Sequence, residues 1–187
     1  MLVIKMNKIQ IILLLLFFLF CSTYAEIGMI KLYKDENGIK RYWETWEYDG
    51  IYTVHWGQVG ETGETTEIKK SLFNSPKKMI SDMINEKKKE GFEEIPIDEL
   101  KILLIEYKIE GMGKESDLNK RHSLEERMNG TLGWTGLGHC DGGSIGSGTM
   151  EVCCFVVDFE IAKLVIEKDL KGTEFENYTR IYIENNN

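Results

Sequence analysis

The densest concentration of reactive side chains lies in the run Gly138-His139-Cys140-Asp141-Gly142-Gly143-Ser144-Ile145-Gly146-Ser147-Gly148-Thr149. A thiol beside an imidazole and a carboxylate is the raw material of nucleophilic hydrolysis. Adjacent residues on a strand point to opposite faces, however, so a nucleophile and its base are rarely sequence neighbours. A Cys-His enzyme would need His122 or His55 to be carried to Cys140 by the fold. The glycines could also cradle an anion with their amides. That reading fails on context, because there is no Lys-Ser/Thr pair and a strand, not a helix N-terminus, follows. His122, His139, Cys140 and Cys153 lack the paired spacing of a metal site such as Cys-x-x-Cys. The sequence therefore assigns no catalytic residue, no metal and no cofactor, and a cysteine-dependent hydrolase ranks third among the functions considered.

The same run reads more simply as a glycine-rich hairpin. Gly146-Ser147 suits a two-residue turn with glycine first. That register sets Cys140 opposite Cys153, and cross-strand neighbours about 5 Å apart are near the separation of a disulfide. The alternative is a set of buried thiols. An odd number of cysteines, Cys140, Cys153 and Cys154, would follow the leader.

The elements that must position these groups fall into two blocks, divided by the punctuation at residues 91–96. In the first, Ile30-Lys31-Leu32-Tyr33 and Arg41-Tyr42-Trp43-Glu44-Thr45-Trp46-Glu47-Tyr48 have strand-like spacing. Asp49-Gly50 then leads into Ile51-Tyr52-Thr53-Val54-His55-Trp56, which predicts a β-hairpin. A second turn over residues 57–63 precedes an alternating strand at 64–70. Ser75-Pro76 is a helix start, with Ser75 as cap. Met79, Ile80, Met83 and Ile84 share one helical face, and Lys87 to Lys89 fill the last turn before Gly91. The expectation is a small twisted sheet with one helix across it.

That order, with Tyr42-Trp43-Glu44, Val54-His55-Trp56-Gly57-Gln58-Val59-Gly60, Gly63 and Lys89-Glu90-Gly91-Phe92, resembles a WGR domain over residues 28–95. The family is found beside the catalytic domain of poly(ADP-ribose) polymerases and in bacterial WGR-domain proteins. The resemblance implies that Trp56 and Gly57 stand at a strand end, where the family's tryptophan and arginine contact a DNA end or backbone. Here Gln58 replaces the arginine, and a neutral amide cannot make a guanidinium's bidentate phosphate contact. Glu61 and Glu64 make the turn acidic.

The second block, 97–187, gives the order β-α-β-β-α-β. Strands are expected at 100–109, 152–157 and 179–183, the glycine-rich hairpin completes the set, and helices are expected at 117–132 and 161–170. This is the order of a ferredoxin-like layer of helices on a sheet. The whole chain is thus expected to be α+β.

Lys5, Lys8, the unbroken apolar run at 11–20 and the small residues Thr23 and Ala25 predict a signal peptide at 1–25. The apolar run is shorter than the roughly 20 residues a spanning helix needs. Export to the periplasm or medium is expected, with an uncleaved membrane anchor as the lesser alternative. Cys21 raises lipidation, but Phe20 occupies a position where a small residue is expected. The full chain carries a net charge of −8. Removing residues 1–25 takes away Lys5 and Lys8, leaving 21 basic against 31 acidic side chains, a net charge of −10.

An acidic balance disfavours nucleic acid, because most such affinity comes from Lys and Arg displacing counterions from phosphates. The basic run at Lys77, Lys78 and Lys87 to Lys89 is diluted by Glu86, Glu90, Glu93 and Glu94 and reads as a solvated helix face. Trp43 and Trp46, three apart on a strand, face opposite ways, and an exposed aromatic in a hairpin marks a binding surface. The sequence therefore points to an exported, non-catalytic binding protein with a protein partner, of which an immunity-type protein that neutralises a basic toxin is one form. Trp43, Trp46, Trp56, Gly57 and Gln58 are its candidate binding residues. Nucleic-acid binding through the first block is the alternative.

Overall fold

The computed structural model describes residues 28–69 and 75–183. The expected leader at 1–25, with Cys21, lies outside the described residues. The chain is α+β, with two antiparallel sheets and three α-helices among the described residues. Among the described residues no helix is long and apolar enough to cross a membrane.

Two-residue turns set the registers. Asn37-Gly38 joins β1 (Ile30–Glu36) to β2 (Ile39–Tyr48), and Asp49-Gly50 joins β2 to β3 (Ile51–Gln58). Both residues of each turn have positive φ, 58° and 82° in the first and 51° and 74° in the second. This is the turn type whose twist matches that of the flanking strands. Asp35 Oδ1 and Glu47 Oε1 accept the glycine amides of the respective turns at 2.8 and 2.5 Å. With β4 (Glu64–Lys69) the first sheet runs β1-β2-β3-β4.

Side chains alternate between faces along each strand, so the register sorts this sheet into rungs. One face carries Lys34, Arg41 and Gln58 on one rung, Leu32, Trp43 and Trp56 on the next, and Ile30, Thr45 and Val54 beyond. Helix α1 (Pro76–Lys89) covers it, burying Ile80 and Ile84 against Leu32, Trp43, Val54 and Phe92. Pro76 opens the helix as expected, whereas Ser75 stands at the cap position without a capping side-chain bond. Met79, expected on the buried side, is largely exposed.

The second unit runs β5 (Lys101–Lys108), α2 (Glu115–Trp134), β6 (Gly138–Gly146), β7 (Thr149–Val156), α3 (Phe159–Leu170) and β8 (Arg180–Ile183), with strand order β6-β7-β5-β8, antiparallel throughout. Leu124, Met128 and Leu132 of α2 and Ala162, Ile166 and Leu170 of α3 are fully buried over Leu103, Ile105, Val152 and Val156. Asp158 Oδ1 caps α3 by accepting the Ile161 amide at 3.0 Å.

The β6–β7 hairpin differs from the expected one. Its turn is Ser147-Gly148, both at positive φ, rather than Gly146-Ser147, so Gly146 faces Thr149. A bulge between Cys140 and Gly143 then shifts the ladder by one residue and brings Cys140 opposite Cys154. The disulfide accordingly joins Cys140 to Cys154 and not to Cys153. Two α2 side chains hold the bulge: Asn129 Oδ1 accepts the Cys140 amide at 2.7 Å and Glu125 Oε1 the Gly142 amide at 3.1 Å.

The larger hydrophobic cluster includes Tyr33 and Tyr42 of the first sheet and Val59 of the turn after β3, together with the core of the second unit. Gly60 N donates to Thr135 O at 2.8 Å, and Lys40 Nζ donates to Val157 O at 3.3 Å. A Cβ on Gly60, whose φ is +93°, would lie 2.4 Å from Ile161 Cγ2. The turn that follows Trp56 is therefore spent on holding the second unit.

Candidate functional site

Two clusters on opposite faces of the first sheet contain most of the chemistry. The first is an open pocket of about 440 Å³ between the sheet and the C-terminal half of α1. Trp43, Val54, Trp56, Met83 and Phe92 supply apolar walls, while Glu36, Arg41, Lys87 and Glu90 stand around them. A volume of several hundred Å³ with mostly apolar walls and a few convergent polar groups is the usual form of a ligand site. Trp43 is buried as its floor, and Trp56, its cross-strand neighbour, is half-buried. Lys87 Nζ lies 5.4 Å and Lys34 Nζ 5.7 Å from the centre of the Phe92 ring, within cation–π range.

The charges around the pocket are unevenly spent. Glu90 is held by Lys87 at 2.7 Å, and Glu36 by Lys34 at 3.0 Å. Arg41 comes no nearer than 3.6 Å to Glu36, measured at Nε. Arg41 is also the direct cross-strand partner of Gln58. A guanidinium thus stands beside the very position where the sequence offers only an amide, on the face that carries Trp43 and Trp56.

The opposite face holds a buried polar relay that the rungs explain. Lys31, Glu44 and His55 share one rung, and Tyr42 occupies the next. His55 Nδ1 lies 2.7 Å from Glu44 Oε1, and Lys31 Nζ lies 2.9 Å from Glu44 Oε2 as an ion pair, off the line of a hydrogen bond. With Nδ1–H donated to the carboxylate, His55 Nε2 accepts the Tyr42 hydroxyl at 2.9 Å. Gly63 N donates to the Tyr42 oxygen at 3.0 Å. Trp46 and Trp134 set their rings edge-on around His55, with centroids 6.4 and 5.0 Å away.

Hydroxyl, imidazole and carboxylate in series are the order of an activated nucleophile. The series has little contact with solvent: Tyr42 is 1 %, Glu44 2 % and His55 0 % exposed. Burial also pushes the Tyr42 hydroxyl up to about 12 from its ordinary 10.0; the Gly63 amide opposes this and the Glu44 charge adds to it. The relay pairs buried polar groups where the second unit closes over the sheet, and leaves Glu44 Oε2 with the Lys31 charge in place of a hydrogen bond.

The structure distributes the expected site residues unequally. Trp43, Trp56 and Gly57 line the pocket, and Gln58 lies on the same face through its pairing with Arg41. Trp46 belongs to the other face, beside Trp134, which is 46 % exposed. Gly57 serves close packing, since a Cβ there would lie 2.8 Å from Gly63 Cα. The hydrolase components are dispersed: Cys140 is bonded to Cys154, His139 stacks on Phe155 at 5.5 Å, and His55 is enclosed in the relay. Among the described residues no cluster of His, Cys, Asp and Glu could hold a metal ion. Arg41, Met83, Lys87 and Phe92 complete the pocket, and their signals in the sequence are structural: Arg41 on a strand, Met83 and Lys87 on a helix, and Phe92 in the closing motif of the WGR resemblance. No protein-family model, curated protein or solved structure matches the chain.

Proposed function

We propose that the chain is an exported, non-catalytic binding protein, a WGR-like module joined to a ferredoxin-like unit, that holds a protein partner through the Trp43–Trp56 pocket. The sheet with its single crossing helix supports the first name. The order β-α-β-β-α-β with strand order β6-β7-β5-β8 supports the second. One observation carries the functional reading: an aromatic-lined concavity opens on the face away from the second unit, while Cys140 is bonded to Cys154 and the Tyr42, His55 and Glu44 series is buried. Buried aromatic anchors and arginine are the side chains that dominate binding at protein interfaces. The acidic chain favours a basic partner, because opposite charge accelerates encounter, and an immunity-type protein fits that balance.

Affinity capture from a periplasmic extract tests this. A basic protein retained at low salt by the native chain and lost with Trp56→Ala is the expected result. Retention of none, or retention indifferent to Trp56, removes the reading.

Arg41 favours one competing reading, nucleic-acid binding, by placing a guanidinium beside Trp43 and Trp56. Against it stand the net charge of −8 and the engagement of Gly60 with Thr135 and Ile161. A gel shift with nicked or blunt DNA at low salt separates the two. Retardation that grows with Gln58→Arg and weakens with salt would replace the protein reading.

A further inference from the structure

We infer that the pocket takes the C-terminal end of a partner polypeptide, its last side chain apolar and its terminal carboxylate held by Arg41. This rests on the protein-binding reading and names what part of the partner enters. The argument begins with the rungs. Lys34, Arg41 and Gln58 form a donor-rich row immediately beside the row of Leu32, Trp43 and Trp56, so a polar contact and an apolar slot are one rung apart on a single face.

The donors of that row differ in how much is left to give. Lys34 is committed to Glu36 and lies over Phe92, and Lys87 is committed to Glu90. The Arg41 guanidinium comes no nearer than 3.6 Å to Glu36 and makes no hydrogen bond to another described residue. A guanidinium with no hydrogen bond to its own chain is the group that grips a carboxylate bidentately. The Gln58 amide beside it adds a further donor. Glu64, opposite Trp56 on the next rung, is exposed to solvent. Beyond the row, Trp43, Trp56, Met83 and Phe92 offer walls to an apolar body, and about 440 Å³ is room for one side chain with its backbone. A carboxylate attached directly to a residue bearing an apolar side chain is the chemistry of a chain terminus. An internal aspartate or glutamate has its carboxylate on the same side chain that would have to fill the slot.

The test uses the native chain and N-acetyl-phenylalanine as probe, with N-acetyl-phenylalanine amide as the uncharged control and a pentapeptide ending in phenylalanine as the longer ligand. The indole resonances of Trp43 and Trp56 report occupancy. The acid is expected to shift them saturably, the amide at least about tenfold more weakly, and Arg41→Gln should reduce affinity for the acid by a similar factor. The pentapeptide should bind at least as tightly as the acid. Equal binding of acid and amide, insensitivity to Arg41→Gln, weaker binding of the pentapeptide, or no binding of any probe overturns the inference. If Trp56-dependent capture of a partner persists when these probes fail, the pocket binds protein by another element, and only the assignment of a terminus falls.

Discussion

Tyr42 and Gly136 are fitted so closely that a Cβ on the glycine would lie 2.2 Å from Tyr42 Cδ1. Gly136 also holds φ at +65°, a conformation that side chains disfavour. Gly136→Ala must therefore move the ring that joins the sheet to the second unit. A loss of about 2 kcal/mol or more in urea unfolding is expected, from overpacking together with backbone strain. Gly133, three residues earlier, meets nothing within 4 Å and lies in α2. Gly133→Ala should be neutral or stabilising by up to about 1 kcal/mol, so equal losses at both positions would contradict the packing described.

Glu44 is the hub of the buried relay. Glu44→Ala leaves His55 without its acceptor and Lys31 without its counter-ion, and removing one partner of a buried ion pair costs about 3 to 5 kcal/mol. A double-mutant cycle of Glu44→Gln with Lys31→Met should show the combined loss falling short of the sum of the two. Strict additivity would mean that the pair does not interact.

Tyr42 titrates higher in the folded chain, at about 12, than at its ordinary 10.0. Its contribution to stability is complete below pH 10 and declines as the pH rises through the folded value, because the unfolded chain releases the proton first. Stability measured by urea unfolding should fall between about pH 10 and pH 12. Tyr33, Tyr107 and Tyr182 are likewise raised by burial and add to that decline. Tyr42→Phe should flatten the curve without abolishing it; an unchanged alkaline slope would remove Tyr42 from the account.

The Cys140–Cys154 bond spans a sequence separation of 14. A loop near that size loses about 3 kcal/mol of stabilisation on reduction, by the entropy it withholds from the unfolded chain. Sensitivity to reductant should persist in Cys153→Ser and vanish in Cys154→Ser. The reverse pattern would restore the Cys140–Cys153 pairing.

These outcomes also show where sequence could and could not be read. Asp49-Gly50 announces its hairpin because few residues tolerate two successive positive φ values. Asn37-Gly38 carries an equally strong signal, with positive φ at both residues. The turn at Ser147-Gly148 lies one residue beyond the expected Gly146-Ser147, since Gly142, Gly143, Gly146 and Gly148 leave several turns open. Even the right turn would not have located the disulfide, because the bulge at Asp141-Gly142 depends on Asn129 and Glu125 reaching over from α2. Trp43 and Trp46 do face opposite ways, as period-two spacing requires. The consecutive run Tyr42-Trp43-Glu44-Thr45-Trp46 held more: bulky residues on both faces indicate a strand covered twice. What covers the second face is remote in sequence, so the relay of Lys31, Glu44, His55 and Tyr42 could not be assembled from spacing alone. Arg41 was legible as a residue, but its place beside Gln58 required the register.

The contact of Gly60 with Thr135 and Ile161 has a bearing on how this protein could be dissected. A fragment ending near residue 95 would leave Val59, Tyr42 and the carboxylate–imidazole pair facing water, and its partner fragment would lose Tyr33, Tyr42 and Val59 from its hydrophobic cluster. Neither piece should survive as a tidy, monomeric miniature. Shuffling the two halves among other scaffolds would call for redesign of the seam first.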